Sequence, residues 1–173
     1  MSQVILVNEH DEAIGTMDKM QAHEEAVLHR AFSIFIFNKD GKMLLQQRAD
    51  DKYHSGGLWT NACCSHPMPG EETIEAANRR LKEELGFTTT LTYRFGFTYK
   101  SDFENGLTEH EYDHVYTGVY EGEIKPDQRE IKDWTFFSIE AINDLLESNP
   151  ARFTTWFKIA FTKLESYLAG IRY

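Results

Sequence analysis

The run Ala31-Phe32-Ser33-Ile34-Phe35-Ile36-Phe37 restricts the fold more than any other segment. Nearly every residue is apolar and Phe and Ile dominate, so it reads as a buried strand. Asn38, Lys39, Asp40 and Gly41 supply turn chemistry, and Met43 to Gln47 resumes a strand pattern, which predicts a β-hairpin.

The elements around this strand follow from spacing. Glu71 to Leu85 reads as a helix, because Ile74, Ala77, Leu81 and Leu85 recur three and four apart and Gly86 supplies a stop. Phe87 to Tyr99 and Tyr112 to Glu123 are rich in Thr, Tyr, Phe and Val and read as two strands of a long hairpin or meander across Asn105 and Gly106. Trp134 to Phe137 is a further strand. Ser138 caps a short helix to about Leu146, and Pro150 opens a last helix with a stripe from Phe153 through Trp156, Phe157, Ala160, Phe161 and Leu164 to Leu168. The fold class is α+β, a mixed sheet with flanking helices. At about 150 residues per domain, 173 residues predict one domain, 1–173.

Charge and cysteine content exclude several functions. Lys and Arg total 18 against 28 Asp and Glu, a net charge of −10 that repels a nucleic acid. No run of 18 apolar residues occurs, so a membrane span is not expected, and the apolar stretch near Val4 is too short for a secretion signal. Cys63 and Cys64 are adjacent, a poor arrangement for a disulfide, which fits a reducing cytoplasmic setting.

Candidate chemistry gathers in WTNACCSHPMPG, from Trp59 to Gly70. Cys64 and His66 stand two apart, so on extended backbone they share a face, and a nearby imidazole or metal would hold the thiol as thiolate; a small core cysteine is the bland alternative. Glu109 and Glu111 share one strand face with His110 on the other. With His23, His29 and His66 they make a mixed nitrogen and oxygen set suited to Zn, Mn or Fe. His23 and His29 are six apart, so joint ligation requires a helix end or turn between them. In the helix, Arg79–Glu83 and Arg80–Glu84 are i,i+4 pairs worth about 0.2–0.5 kcal/mol each.

The spacing Glu71, seven residues, Arg79, then Leu81, Glu83, Glu84, Gly86 and Phe87 resembles the signature helix of the Nudix fold, an α/β/α sandwich. Two positions depart from it: Ser65 stands where the motif opens with Gly, and Arg80 where a hydrolase carries the first Glu of its Arg-Glu pair. Guanidinium in place of carboxylate removes a metal ligand and supplies a phosphate-binding fork. The stretches AHEEAVLHRAFSIFIFN, QQRADDKYHSGGLWTNACCSHP, RRLKEELGF and EHEYDHVY, in that order, resemble the type I isopentenyl diphosphate isomerases from about Val4 to Phe161.

That resemblance implies an isomerase of isoprenoid biosynthesis that interconverts isopentenyl and dimethylallyl diphosphates through a tertiary carbocation. It implies Cys64 and Glu111 as the two proton-handling groups, Tyr99 in support of the glutamate, and Trp156 beside the cation. His23, His29, His66, Glu109 and Glu111 would ligate Mn2+, Mg2+ or Zn2+. Glu84 and the backbone carbonyl of Cys64 would hold Mg2+ arriving with the diphosphate, and Lys19, Arg48, Lys52 and Arg80 would grip that headgroup. The expected partner is a small isoprenoid diphosphate, and the chain a monomer or weak homodimer. A Nudix hydrolase of a diphosphate-containing substrate is the competing reading.

Overall fold

The computed structural model describes residues 2–52 and 54–171. Among these, β1 (Gln3–Val7), β2 (Ala13–Asp18), β3 (His29–Phe37), β4 (Met43–Arg48), β5 (Trp59–Asn61), β6 (Cys63–Ser65), β7 (Thr92–Asp102), β8 (Thr108–Val119) and β9 (Ile131–Phe137) join in one mixed sheet. The helices are α1 (Lys19–Glu24), α2 (Thr73–Leu85), α3 (Ile139–Ser148) and α4 (Thr155–Ile171). No helix among the described residues is long and apolar enough to cross a membrane.

Strand β3 is the axis. It runs parallel to β8 from His29↔Glu111 to Phe37↔Val119 and antiparallel to β6. Alternation along a strand sends its side chains to opposite faces. Phe32, Ile34 and Ile36 pack with Ala76, Ala77, Leu81 and Leu85 of α2. Phe35 enters the second core with Ile142 of α3 and Phe157, Phe161 and Leu164 of α4. The result is the expected α/β/α sandwich.

Several boundaries differ from the sequence reading. The hairpin turn forms, with Asn38 Oδ1 accepting from the backbone N–H of Asp40 and Lys42, but β3 and β4 pair only at Phe37↔Met43. Beyond that point β6 and β8 take the edges of β3, while β5 and β9 take those of β4. Helix α2 begins at Thr73, because the Glu71 carboxylate is occupied with Met68 N–H and the Arg79 guanidinium. Strand β7 begins at Thr92, since Phe87 leaves the sheet to stack on Tyr120. Strand β8 starts at Thr108, four residues earlier than expected, which places Glu109 and Glu111 inside it.

Ser138 caps α3 by accepting from Ala141 N–H at 3.1 Å. Pro150 opens only a 3-10 turn, Pro150–Arg152; Phe153 is extended and bridges Trp59, so α4 starts at Thr155. The strand-like bridge competes with helix continuation at Phe153 and prevails.

Candidate active site

Four elements bring their donors to one point. His23 ends α1, and the chain turns through Ala26, at φ 56°, into β3, where His29 stands opposite Glu111 of β8. His66 follows β6 directly. One donor atom from each of His23, His29, His66 and Glu111 lies within 4.8 Å of the others. The helix end and turn demanded by the six-residue spacing of His23 and His29 are both present.

His66 Nε2 lies 2.7 Å from Glu111 Oε2. His29 Nδ1 is 2.8 Å from the Val27 carbonyl, so in the neutral ring Nδ1 donates there and Nε2 carries a lone pair. That Nε2 faces Glu111 Oε2 at 3.3 Å without hydrogen-bond geometry. A neutral His29 and Glu111 would meet here as two acceptors, a gap that a proton on His29 or a bound cation fills, and three imidazoles with a carboxylate suit a divalent transition ion. Burial, then the neighbouring His66 and His29, lower the His23 pKa to about 3, which keeps it a neutral ligand. Burial opposes charge on His29, yet the facing Glu111 outweighs it and raises the pKa. Burial likewise opposes charge on Glu111, and the two imidazoles overcome it, holding the carboxyl well below its usual range.

Glu109 stands beside this cluster. Its Oε1 is 3.9 Å from His23 Nε2 and 2.9 Å from His54 Nε2. Tyr99 Oη spans the two carboxylates, 2.8 Å from Glu109 Oε2 and 2.5 Å from Glu111 Oε1.

Cys64 lies on β6, and one cavity of about 50 Å3 is lined by Cys64, Glu111, Tyr99, Trp156, Arg48 and His54. Its volume holds one or two waters. Around the thiol, burial, then the Asp113 carboxyl, push its pKa up. Sγ donates to Asn61 Oδ1 at 3.2 Å and lies 3.4 Å from Ser33 Oγ, which donates to Asp113 Oδ2 at 2.7 Å. Cys63 turns the opposite way, into the core under α2, 3.6 Å from Glu84 Oε2.

The cationic residues form a corner beside the cavity. Lys52 Nζ reaches Glu130 Oε2 at 2.7 Å, and Arg80 contacts Glu83 at 2.8 Å, Glu84 at 2.7 Å and Glu130 at 3.6 Å. Burial, then the charge of Lys52, lowers the pKa of Lys19, and Glu130 and Arg80 of the same corner act on it too. Arg48 rests over the Trp156 ring, 5.0 Å from its centroid. Glu84 is buried and its carboxyl pushed up by that burial, with Arg80 opposing. Arg79 meets Glu83 at 3.2 Å, so both helix pairs form.

His54, Asn61, Asp113 and Glu130 were missed in the sequence. Asp113 was within reach of it, because two residues beyond Glu111 on a strand it must share that face. His54 carries no such signal, since its loop has no period.

A family model for the NUDIX domain matches residues 27–157. A crystallised Deinococcus radiodurans protein superposes with a TM-score of 0.71 at 17% identity, over 86% of this chain and 90% of that one. A Nudix hydrolase from M. smegmatis gives 0.61 at 18%, over 96% and 95%. The sandwich is therefore a Nudix domain. Sequence relatives are more specific: the isopentenyl-diphosphate Delta-isomerase of Pectobacterium atrosepticum is 47% identical over 169 residues, 96% of this chain and 93% of the relative. That of Serratia proteamaculans is 48% identical over 154 residues, 89% and 86% respectively. The chain belongs to the isopentenyl-diphosphate Delta-isomerase family of Nudix proteins.

Proposed function

We propose that this chain interconverts isopentenyl and dimethylallyl diphosphates, and the observation that carries the reading is that Cys64 and Glu111 line one cavity. Burial keeps a proton on Cys64, while two imidazoles keep Glu111 ionised. The pair thus holds one proton to give and one empty place to receive it. Cys64 protonates one carbon of the five-carbon chain and Glu111 takes a proton from another, with a tertiary carbocation between; the reverse reaction exchanges the roles. Tyr99 orients Glu111 through its hydroxyl. The Trp156 face is worth about 2 kcal/mol or more to a desolvated cation.

His23, His29, His66, Glu109 and Glu111 would hold the divalent ion, with Mn2+, Mg2+ and Zn2+ as candidates, and Glu84 with the Cys64 carbonyl would hold Mg2+. When bound, such an ion supplies positive charge that fixes Glu111 and tunes its acidity. Lys19, Arg48, Lys52 and Arg80 grip the diphosphate; Arg48 and Arg80 each keep a buried Nε–H with no acceptor. Glu130, now paired with Lys52, gives way to the headgroup.

Incubation with Mg2+ and isopentenyl diphosphate in deuterated water yields labelled dimethylallyl diphosphate, read by mass spectrometry. Cys64→Ala abolishes turnover while circular dichroism stays unchanged. Phosphate release without isomer, or full activity in Cys64→Ala, would establish the hydrolase reading instead.

A further inference from the structure

The proton on Cys64 has two acceptors in reach, Asn61 Oδ1 at 3.2 Å and Ser33 Oγ at 3.4 Å; the nearer, on Asn61, is not free to turn away. Asn61 is fully buried, and its Nδ2 donates to the carbonyls of Ile34 at 2.9 Å and Cys63 at 3.2 Å. Both amide hydrogens are thereby committed, and a flip would face two carbonyls with an oxygen. The same Oδ1 also accepts from Thr60 Oγ1 at 3.0 Å. Thr60 in turn accepts from Thr154 Oγ1 at 3.0 Å. Thr154 accepts from the backbone N–H of Phe157 at 3.2 Å, and its own N–H donates to the Trp59 carbonyl at 3.0 Å.

The side chains of Asn61, Thr60 and Thr154 are all buried, and each of their polar hydrogens has a defined acceptor. One end is the thiol. The other is the first turn of α4, two residues from Trp156, whose ring lines the cavity shared by Cys64 and Glu111. Three bonds therefore join the two walls of the cavity without passing through the substrate space. A packed core supplies contact between α4 and β5, but only directional bonds fix where a hydrogen points.

We infer that Asn61, Thr60 and Thr154 are positioning residues that aim the Cys64 S–H and hold Trp156 in register with it. The inference rests on the isomerase reading for its catalytic consequence and on geometry alone for the bond to the thiol. Losing Thr60 Oγ removes the middle link: Oδ1 loses a donor, and Thr154 loses its acceptor. Valine has the same shape as threonine, so the packing of β5 is retained, and serine restores the hydroxyl.

The test uses Thr60→Val and Thr60→Ser in the full chain, with folding checked by circular dichroism. The cysteine S–H stretching band, assigned to Cys64 by its loss in Cys64→Ala, moves in Thr60→Val and returns in Thr60→Ser. Turnover with isopentenyl diphosphate falls roughly 10- to 100-fold in Thr60→Val at nearly constant KM, the scale of a misaimed reacting group, and recovers in Thr60→Ser. A band that stays in place in a folded Thr60→Val, or a loss that Thr60→Ser fails to rescue, overturns the inference. The spectroscopic arm needs no substrate, so it stands apart from the isomerase reading, which fails instead if Cys64→Ala retains activity.

Discussion

At the scale of single residues, burial sets the charge states of the site, and partners decide which charges survive. Glu111 is ionised because two imidazoles face it, whereas Asp113, two residues on and equally buried, has its carboxyl pushed well up by burial and by the nearby Glu111. Outside the site, Glu71 accepts two hydrogen bonds from Arg79, at 2.8 and 3.0 Å, and these hold its carboxyl below the ordinary 4.5. A carboxyl whose folded pKa is depressed stabilises the fold above its unfolded value and loses that contribution as pH falls through the folded one. Glu71→Gln is therefore less stable than the parent by about 1 kcal/mol at pH 7. The difference shrinks below pH 4.5, and urea midpoints across pH measure it. A gap that persists unchanged into acid would mean that packing, rather than charge, holds this loop.

At the scale of elements, the strands and helices with strong periods were legible, as were Cys64, His66, Glu109 and Glu111, because spacing within one segment carried them. The splayed β3–β4 hairpin and the break at Phe153 were not, since both depend on strands that arrive from elsewhere in the chain. His54 and Glu130 were hidden for the same reason: only the tertiary fold brings His54 against Glu109 and Glu130 against Lys52. Local stop signals fared better. Gly86 ends α2 at φ 78°, and a Cβ there would come within 2.8 Å of Lys125 Cβ and 2.9 Å of its carbonyl oxygen. Gly86→Ala combines a left-handed backbone cost with that clash, about 2 kcal/mol in all. Its urea midpoint drops while the denaturant slope holds; an unchanged midpoint would show that the Pro126 side of the loop yields freely.

At the scale of the whole molecule, the net charge of −10 coexists with a corner where Lys19, Lys52 and Arg80 converge, so a local field opposes the global one. Binding of an ion to the folded state alone stabilises it by about 2.7 kcal/mol at a hundredfold excess over Kd. Chelation is expected to lower the Tm, at about 2–4 °C per kcal/mol for a domain of this size, and added Mn2+, Mg2+ or Zn2+ to restore it. In Glu111→Gln the chelator's effect shrinks. Equal Tm values with and without chelator in the parent chain would remove the ion from the folded state's stability.

The clustered donors come from a helix end, the start of β3, the exit of β6 and the first residues of β8, so they span residues 23 to 111. None of the three histidines can meet the Glu111 carboxylate until the parallel β3–β8 ladder has closed, a long-range pairing that is slow to form. Ion capture therefore follows assembly of the sheet. During synthesis on the ribosome, a chain that has not yet emerged past Glu111 has no complete pocket to scavenge metal, and loading reports that the long loop between the two strands has been brought home.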